Sequence, residues 1–189
     1  MTAPYQIQQA APRLDDASDA ARPLLEAAQT VLGFVPEMYR HMAKAPGVLS
    51  TYMHGYEQLR ENSGLKPAEQ EVIFLTISRE NGCEYCMGAH SMLADKVSGV
   101  PKDALKALRA GEEIPDSRLA ALSRFTAVMF HSRGKPSEQE VQAFMGAGFK
   151  ESDILQIILA LAVKTLSNYS NHINQPALDK AFAGHQWAP

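Results

Sequence analysis

Two neighbouring segments decide how this chain is read: Val72-Ile73-Phe74-Leu75-Thr76-Ile77 and, just beyond it, Asn81-Gly82-Cys83-Glu84-Tyr85-Cys86-Met87-Gly88-Ala89-His90. The first is apolar on nearly every side of a helix, so it predicts a helix buried all round rather than an amphipathic surface one. Pro67 supplies its start, because proline fits the first helical position, and Glu69 and Glu71 follow where the helix dipole favours acids. Gly82 breaks that helix. A second begins at or just before Cys83, runs to about Val97 and stops at Gly99, with Pro101 beyond.

Outward from this pair, the same signals recur. Upstream, Asp15, Asp16 and Asp19 suit a helix N-terminus, although Pro23 moves the effective start towards Arg22, and Gly33 ends the segment. Pro36 opens a short helix to Met42. Pro46 opens a longer one to about Asn62, with Leu49, Tyr52, Met53, Tyr56 and Leu59 on one face. Downstream, helices are predicted over Pro101–Ala110, Ser117–Ser132, Glu138–Met145 behind a Ser137/Glu140 capping box, Ser152–Ser167, and Ala177–Phe182. Nothing alternates with period two, so the fold class is all-α, a compact helical domain. The boundaries read as an extended arm over residues 1–14 and one helical domain over 15–189. A shift of about 84 positions lays Gly64-Leu65-Lys66 on Gly148-Phe149-Lys150, Cys83 on Ser167 and Cys86 on Ser170. That pattern fits a duplicated helical hairpin of which only the first copy keeps its thiols, or two buried helices of similar composition.

Composition narrows the function. A chain of 189 residues with 46% hydrophobic content builds a proper core. A net charge of −3 gives no electrostatic reason to expect nucleic acid. The apolar runs are too short and interrupted to span a bilayer, and the start Met-Thr-Ala-Pro-Tyr-Gln carries no secretory pattern. A cytoplasmic location follows as the expectation. In a reducing cytosol a close cysteine pair is more often catalytic or metal-binding than a structural staple.

Both cysteines of the chain lie in one C-x-x-C, at the start of a helix. Free N–H groups and the dipole there favour a thiolate. Residues three apart share a face, so Cys83 and Cys86 are placed to form a disulfide after a small rearrangement. His90 follows Cys86 by one turn and is placed to hydrogen-bond its sulfur or to carry a proton. Glu71, on the apolar helix, is the candidate general base, with a pKa raised by burial. Tyr85 is a proton relay or a packing residue. The alternative is a zinc or structural protein with Cys83, Cys86 and His90 as ligands, lacking only a second ligand pair. Glu69, Glu80 and Glu84 read as dipole partners or solvated acids, and His54 and His172 as helix residues within reach of a pocket.

Glu71-x11-Cys83-x-x-Cys86-x-x-x-His90 resembles the signature of the alkylhydroperoxidase D-like proteins of the carboxymuconolactone decarboxylase superfamily. Residues 78–90 are closest to its peroxidase-related branch. Leu32-Gly33-Phe34-Val35-Pro36 and Asn168-Tyr169-Ser170-Asn171-His172 resemble that branch too. The resemblance implies an all-helical fold, trimers or hexamers, no cofactor, and reduction of organic hydroperoxides. In that scheme Cys86 attacks the peroxide, Cys83 resolves the sulfenic acid to a disulfide, Glu71 and His90 handle protons, and an external dithiol or redox partner protein regenerates the pair. One departure stands out: well-studied members carry a histidine where this chain has Tyr85. Lactone decarboxylation, the work of a branch without a C-x-x-C centre, is not expected.

Overall fold

The computed structural model describes residues 4–189. Among them, nine α-helices and a closing 3-10 helix follow one another without a strand. They are α1 (Arg22–Leu32), α2 (Glu37–Met42), α3 (Pro46–Asn62), α4 (Pro67–Glu80), α5 (Glu84–Lys96), α6 (Lys102–Ala110), α7 (Ser117–His131), α8 (Glu138–Gly146), α9 (Glu151–Asn174) and the 3-10 turn Lys180–His185.

Helix α4 is the axis of the fold. Every residue from Glu69 to Ser78 is buried, as its all-round apolar sequence requires. Helices α5, α7 and α9 pack against it. Its start is a capping arrangement in which the Glu69 carboxylate accepts the Lys66 backbone N–H at 2.9 Å. Its end is a tight reversal: Gly82 adopts φ 65°, a left-handed conformation that costs glycine little, and the Cys83 N–H donates to the Ser78 carbonyl at 2.9 Å. Cys83 thereby becomes the N-cap of α5, and Cys86 the third residue of that helix.

Two close approaches complete the core. Gly55 on α3 faces α9 so tightly that a Cβ there would meet Val163 Cγ2 at 2.9 Å. Gly88 on α5 lies under Leu178 of the C-terminal segment, where an added Cβ would lie 3.0 Å from Leu178 Cδ1. That segment crosses α5 and is tied down by Arg109, which donates to the carbonyls of His185 and Gln186, and by Trp187 Nε1, which donates to the Arg109 carbonyl at 2.8 Å. At the other end, the N-terminal arm is held by long-range bonds. Ile7 N donates to the Ile173 carbonyl at 2.9 Å, and Arg40 donates to the carbonyls of Pro12 and Ala11.

Two sequence expectations change. Helix α9 extends through Asn174, seven residues past the predicted end at Ser167. Ser167, Asn168, Ser170 and Asn171 are poor helix formers, but tertiary packing overrides that preference because Ser167, Asn168 and Asn171 are buried against the rest of the core. The internal repeat also stops short of a second hairpin. Gly82 corresponds to Leu166, which has no reason to break a helix, so α9 is continuous where α4 and α5 are two.

Candidate active site

The local sequence brings Cys83 and Cys86 to the first turn of α5, where they lie 3.4 Å apart as free thiols. Both are buried, and so are Glu71 and His90. Among the described residues, Asn171 on α9 donates its Nδ2 to Cys86 Sγ at 3.2 Å and to Cys83 Sγ at 3.6 Å. One amide therefore holds both sulfurs.

A polar chain runs from His90 across α4 to α3. His90 Nδ1 bonds Glu71 Oε2 at 2.8 Å. The other Glu71 oxygen accepts from Arg60, whose guanidinium also donates to Tyr56 Oη at 2.6 Å and Gln70 Oε1 at 3.1 Å. This arrangement corrects the expected electrostatics of Glu71. Burial alone raises its pKa, but His90 and Arg60 outweigh burial and hold the carboxyl below its ordinary range. Glu71 is thus an ionised anchor whose two oxygens are already engaged. His90 goes the other way: burial and then the Lys164 charge lower its pKa against the opposing pull of Glu71, leaving a neutral ring at neutral pH. With Nδ1–H given to the carboxylate, Nε2 carries the lone pair.

The two thiols diverge. Cys83 is pushed up, first by donating its hydrogen bond to Cys86, then by burial and the Cys86 charge. For Cys86 burial opposes ionisation, yet the Cys83 hydrogen bond, Lys164 and His90 together bring its pKa well below the usual thiol value. Lys164 carried no signal in the motif; a lysine in the buried stripe of α9 was the clue available in the sequence, and the continuous helix was needed to see it.

Above Cys86 and His90 opens a cavity of about 260 Å³, walled by Phe34, Met38, Tyr39, Tyr52, Tyr56, Met92 and Phe182 among others. Cys86 lines it and Cys83 does not. Tyr85 faces this cavity but its hydroxyl donates to Asp179, and its ring meets Phe182 edge-on at 6.1 Å. It joins the C-terminal segment to the site rather than standing between the sulfurs and a proton source. His54 and His172 are exposed and lie outside the pocket. Of the other acids, Glu69 pairs with Arg118 and Glu80 with Arg79 and His131, and Glu84 is exposed. No cluster of three or more His, Cys, Asp and Glu side chains suited to a metal ion occurs among the described residues.

Residues 46–129, which contain Glu71, both cysteines and His90, match the carboxymuconolactone decarboxylase family. The likeness to that family covers this segment of the chain. The chain's fold is the alkylhydroperoxidase D-like one. A peroxidase-related protein from Ralstonia eutropha JMP134, described as an alkylhydroperoxidase AhpD core, superposes with a TM-score of 0.81 at 22% identity, over 96% of each chain. A peroxidase-related protein from Silicibacter sp. TM1040 gives 0.76 at 23% identity, over 95% of this chain and 97% of that one. The debrominase Bmp8 bound to 2,3,4-tribromopyrrole gives 0.72 at 16% identity, over 92% of each. No curated protein matches the chain.

Proposed function

We propose that the protein is a thiol peroxidase that reduces bulky organic hydroperoxides through Cys86 and Cys83. The observation that carries this reading is the asymmetry of the pair: the thiol of lowered pKa lines an apolar cavity, and its neighbour lies behind it with a raised pKa. The superfamily and the peroxidase-related neighbours support the same class of chemistry.

In the proposed cycle, the Cys86 thiolate attacks the distal oxygen of the hydroperoxide. The S–O bond forms as the O–O bond breaks. His90 Nε2 accepts the hydroperoxide proton and passes it to the leaving alkoxide, which departs as an alcohol. Glu71 stabilises the imidazolium that exists in between. The sulfenate takes a proton from solvent, and Cys83 then attacks the Cys86 sulfur. The disulfide forms, the S–O bond breaks, and the Cys83 proton leaves with the hydroxyl as water. An external dithiol reduces the disulfide by two exchanges and is itself oxidised. That step fits a reducing compartment such as the cytosol.

The test is peroxide consumption with a dithiol reductant, comparing cumene hydroperoxide, tert-butyl hydroperoxide and hydrogen peroxide. Faster turnover of the bulky aromatic peroxide is expected, with none in Cys86→Ser. A reduced protein that forms no Cys83–Cys86 disulfide under any peroxide rejects the reading. The aromatic cavity walls favour one competing reading, reductive dehalogenation of a flat arene, for which Bmp8 is the precedent. Bromide release from a bromopyrrole without peroxide would replace the peroxidase reading with that one.

A further inference from the structure

Lys164 is a buried side chain to which the reaction scheme assigns no task. It lies on α9, is fully inaccessible, and its Nζ has no hydrogen-bond partner among the described residues. The ammonium stands 5.5 Å from the centre of the Phe74 ring. A buried cation without an anion is costly, so a native structure that retains one has to supply the compensating charge.

The surrounding charges identify what that anion is. Arg60, half-buried, is the other cation at the site, and it is committed to Glu71. Glu71 is the buried carboxylate of this cluster, since Glu69 is paired with Arg118, and its second oxygen is committed to His90. The neutral imidazole adds no charge. Two cations and one carboxylate leave the cluster short of one negative charge. From α3, Tyr52 and Tyr56 face the sulfurs, but burial raises both phenols and keeps them neutral. From α5, Cys83 and Tyr85 are raised as well. Asp179, beyond α9, is engaged by the Tyr85 hydroxyl and the Glu37 N–H. Cys86 is the remaining group able to carry the charge.

We propose that Lys164 is the fixed counter-charge of the Cys86 thiolate, carried to the site by α9, and that without it the C-x-x-C loses its nucleophile. The inference rests on Cys86 being the reactive thiol of the function proposed above. Its directions agree with the rest of the site, since the lysine charge lowers the Cys86 thiol and also opposes protonation of His90. One ammonium thus keeps the sulfur anionic and the imidazole neutral, which are the two protonation states the first step needs. It also stands ready to pair with the sulfenate that follows.

The experiment titrates the thiolate without any substrate. Full-length protein and its Lys164→Met and Lys164→Gln variants are followed by thiolate absorbance against pH and by iodoacetamide alkylation, with mass spectrometry reporting on Cys86. Loss of the counter-charge is expected to move the Cys86 midpoint up by at least about one pH unit and to slow alkylation at pH 7 about ten-fold or more. Lys164→Arg, where it folds, is expected to restore part of the low midpoint. An unchanged midpoint in a folded Lys164→Met protein overturns the proposal. If neither neutral variant folds at pH 7, folding is expected to return in a Cys86→Ser background; unfolding there as well also overturns the proposal. A protein that consumes no peroxide but whose Cys86 titration follows Lys164 loses the peroxidase reading and keeps the ion pair.

Discussion

At the scale of single residues, the site separates two thiols that the sequence makes nearly equivalent. Both lie at the start of α5, so the helix dipole does not choose between them. Asn171 touches both sulfurs. The Lys164 charge lowers both thiols, and the direction of the hydrogen bond from Cys83 to Cys86 separates them. Cys86→Ser is therefore expected to abolish peroxide turnover and to leave no sulfenic acid for dimedone. Cys83→Ser is expected to form one sulfenic acid, trapped at Cys86, and not to turn over. Trapping on Cys83 instead would reverse the roles. Protonation also couples to stability here. His90 is neutral when folded because its pKa is lowered, so below the free histidine value of about 6.5 the unfolded chain takes up a proton that the native ring refuses. Glu71 acts in the same direction at lower pH, because its lowered pKa adds stability above the free carboxyl range that is lost as pH falls through the folded value. The thermal midpoint is expected to fall steadily from pH 7 to pH 4. In His90→Gln the part of this loss just below pH 6.5 should shrink, and a midpoint flat across that range in the unmodified protein would remove the buried neutral imidazole from the account.

At the scale of elements, the site is assembled where α3, α4, α5 and α9 meet, and the close packing of α3 on α9 is what delivers Lys164 and Asn171 to the sulfurs. Gly55 permits that approach, since Val163, the residue before Lys164, occupies the space a side chain would need. Gly55→Val is expected to cost about 1–3 kcal/mol through overpacking, read as a lower urea midpoint. It is also expected to slow alkylation of Cys86 by displacing α9. Full stability together with unchanged reactivity would show that α9 has more freedom than its packing indicates. The histidine expected between the cysteines has no direct substitute in Tyr85. That residue uses its ring on Phe182 and its hydroxyl on Asp179, so it works as a clasp for the C-terminal segment.

At the scale of the whole molecule, one surface is out of keeping with the rest. Leu155, Ile158, Tyr169 and Ile173 are 66%, 43%, 57% and 41% exposed, and they follow one stripe along α9. The N-terminal arm binds its own chain beside this stripe, with the Ile7 N–H on the Ile173 carbonyl. We propose that the stripe is covered by further copies of the chain, in keeping with a trimer or hexamer. Light scattering at micromolar concentration is expected to give a multiple of the monomer mass, and Ile158→Glu with Tyr169→Glu to give the monomer. A monomeric unmodified protein at that concentration removes the proposal. Among the described residues, no helix is long and apolar enough to cross a membrane.

What the sequence determined by itself were the features set by short-range physics. The all-round apolar run of α4, the corner at Gly82, the pairing of Cys83 with Cys86 and the turn from Cys86 to His90 depend on neighbours within a helical turn or two. Helical periodicity and glycine conformation make them legible. The placement of Glu71 on the helix leading into the cysteine turn was also legible, but its contact with His90 and its charge state were not, because Arg60 reaches it from a separate helix. The same limit hid the last seven residues of α9, where poor helix formers are held in place by burial. Lys164 shows the reason most directly: in sequence it is one lysine among apolar residues, and its meaning arises only when α9 is laid across α5. A pKa is set by every charge within a few ångströms, and the tertiary fold alone decides which charges those are.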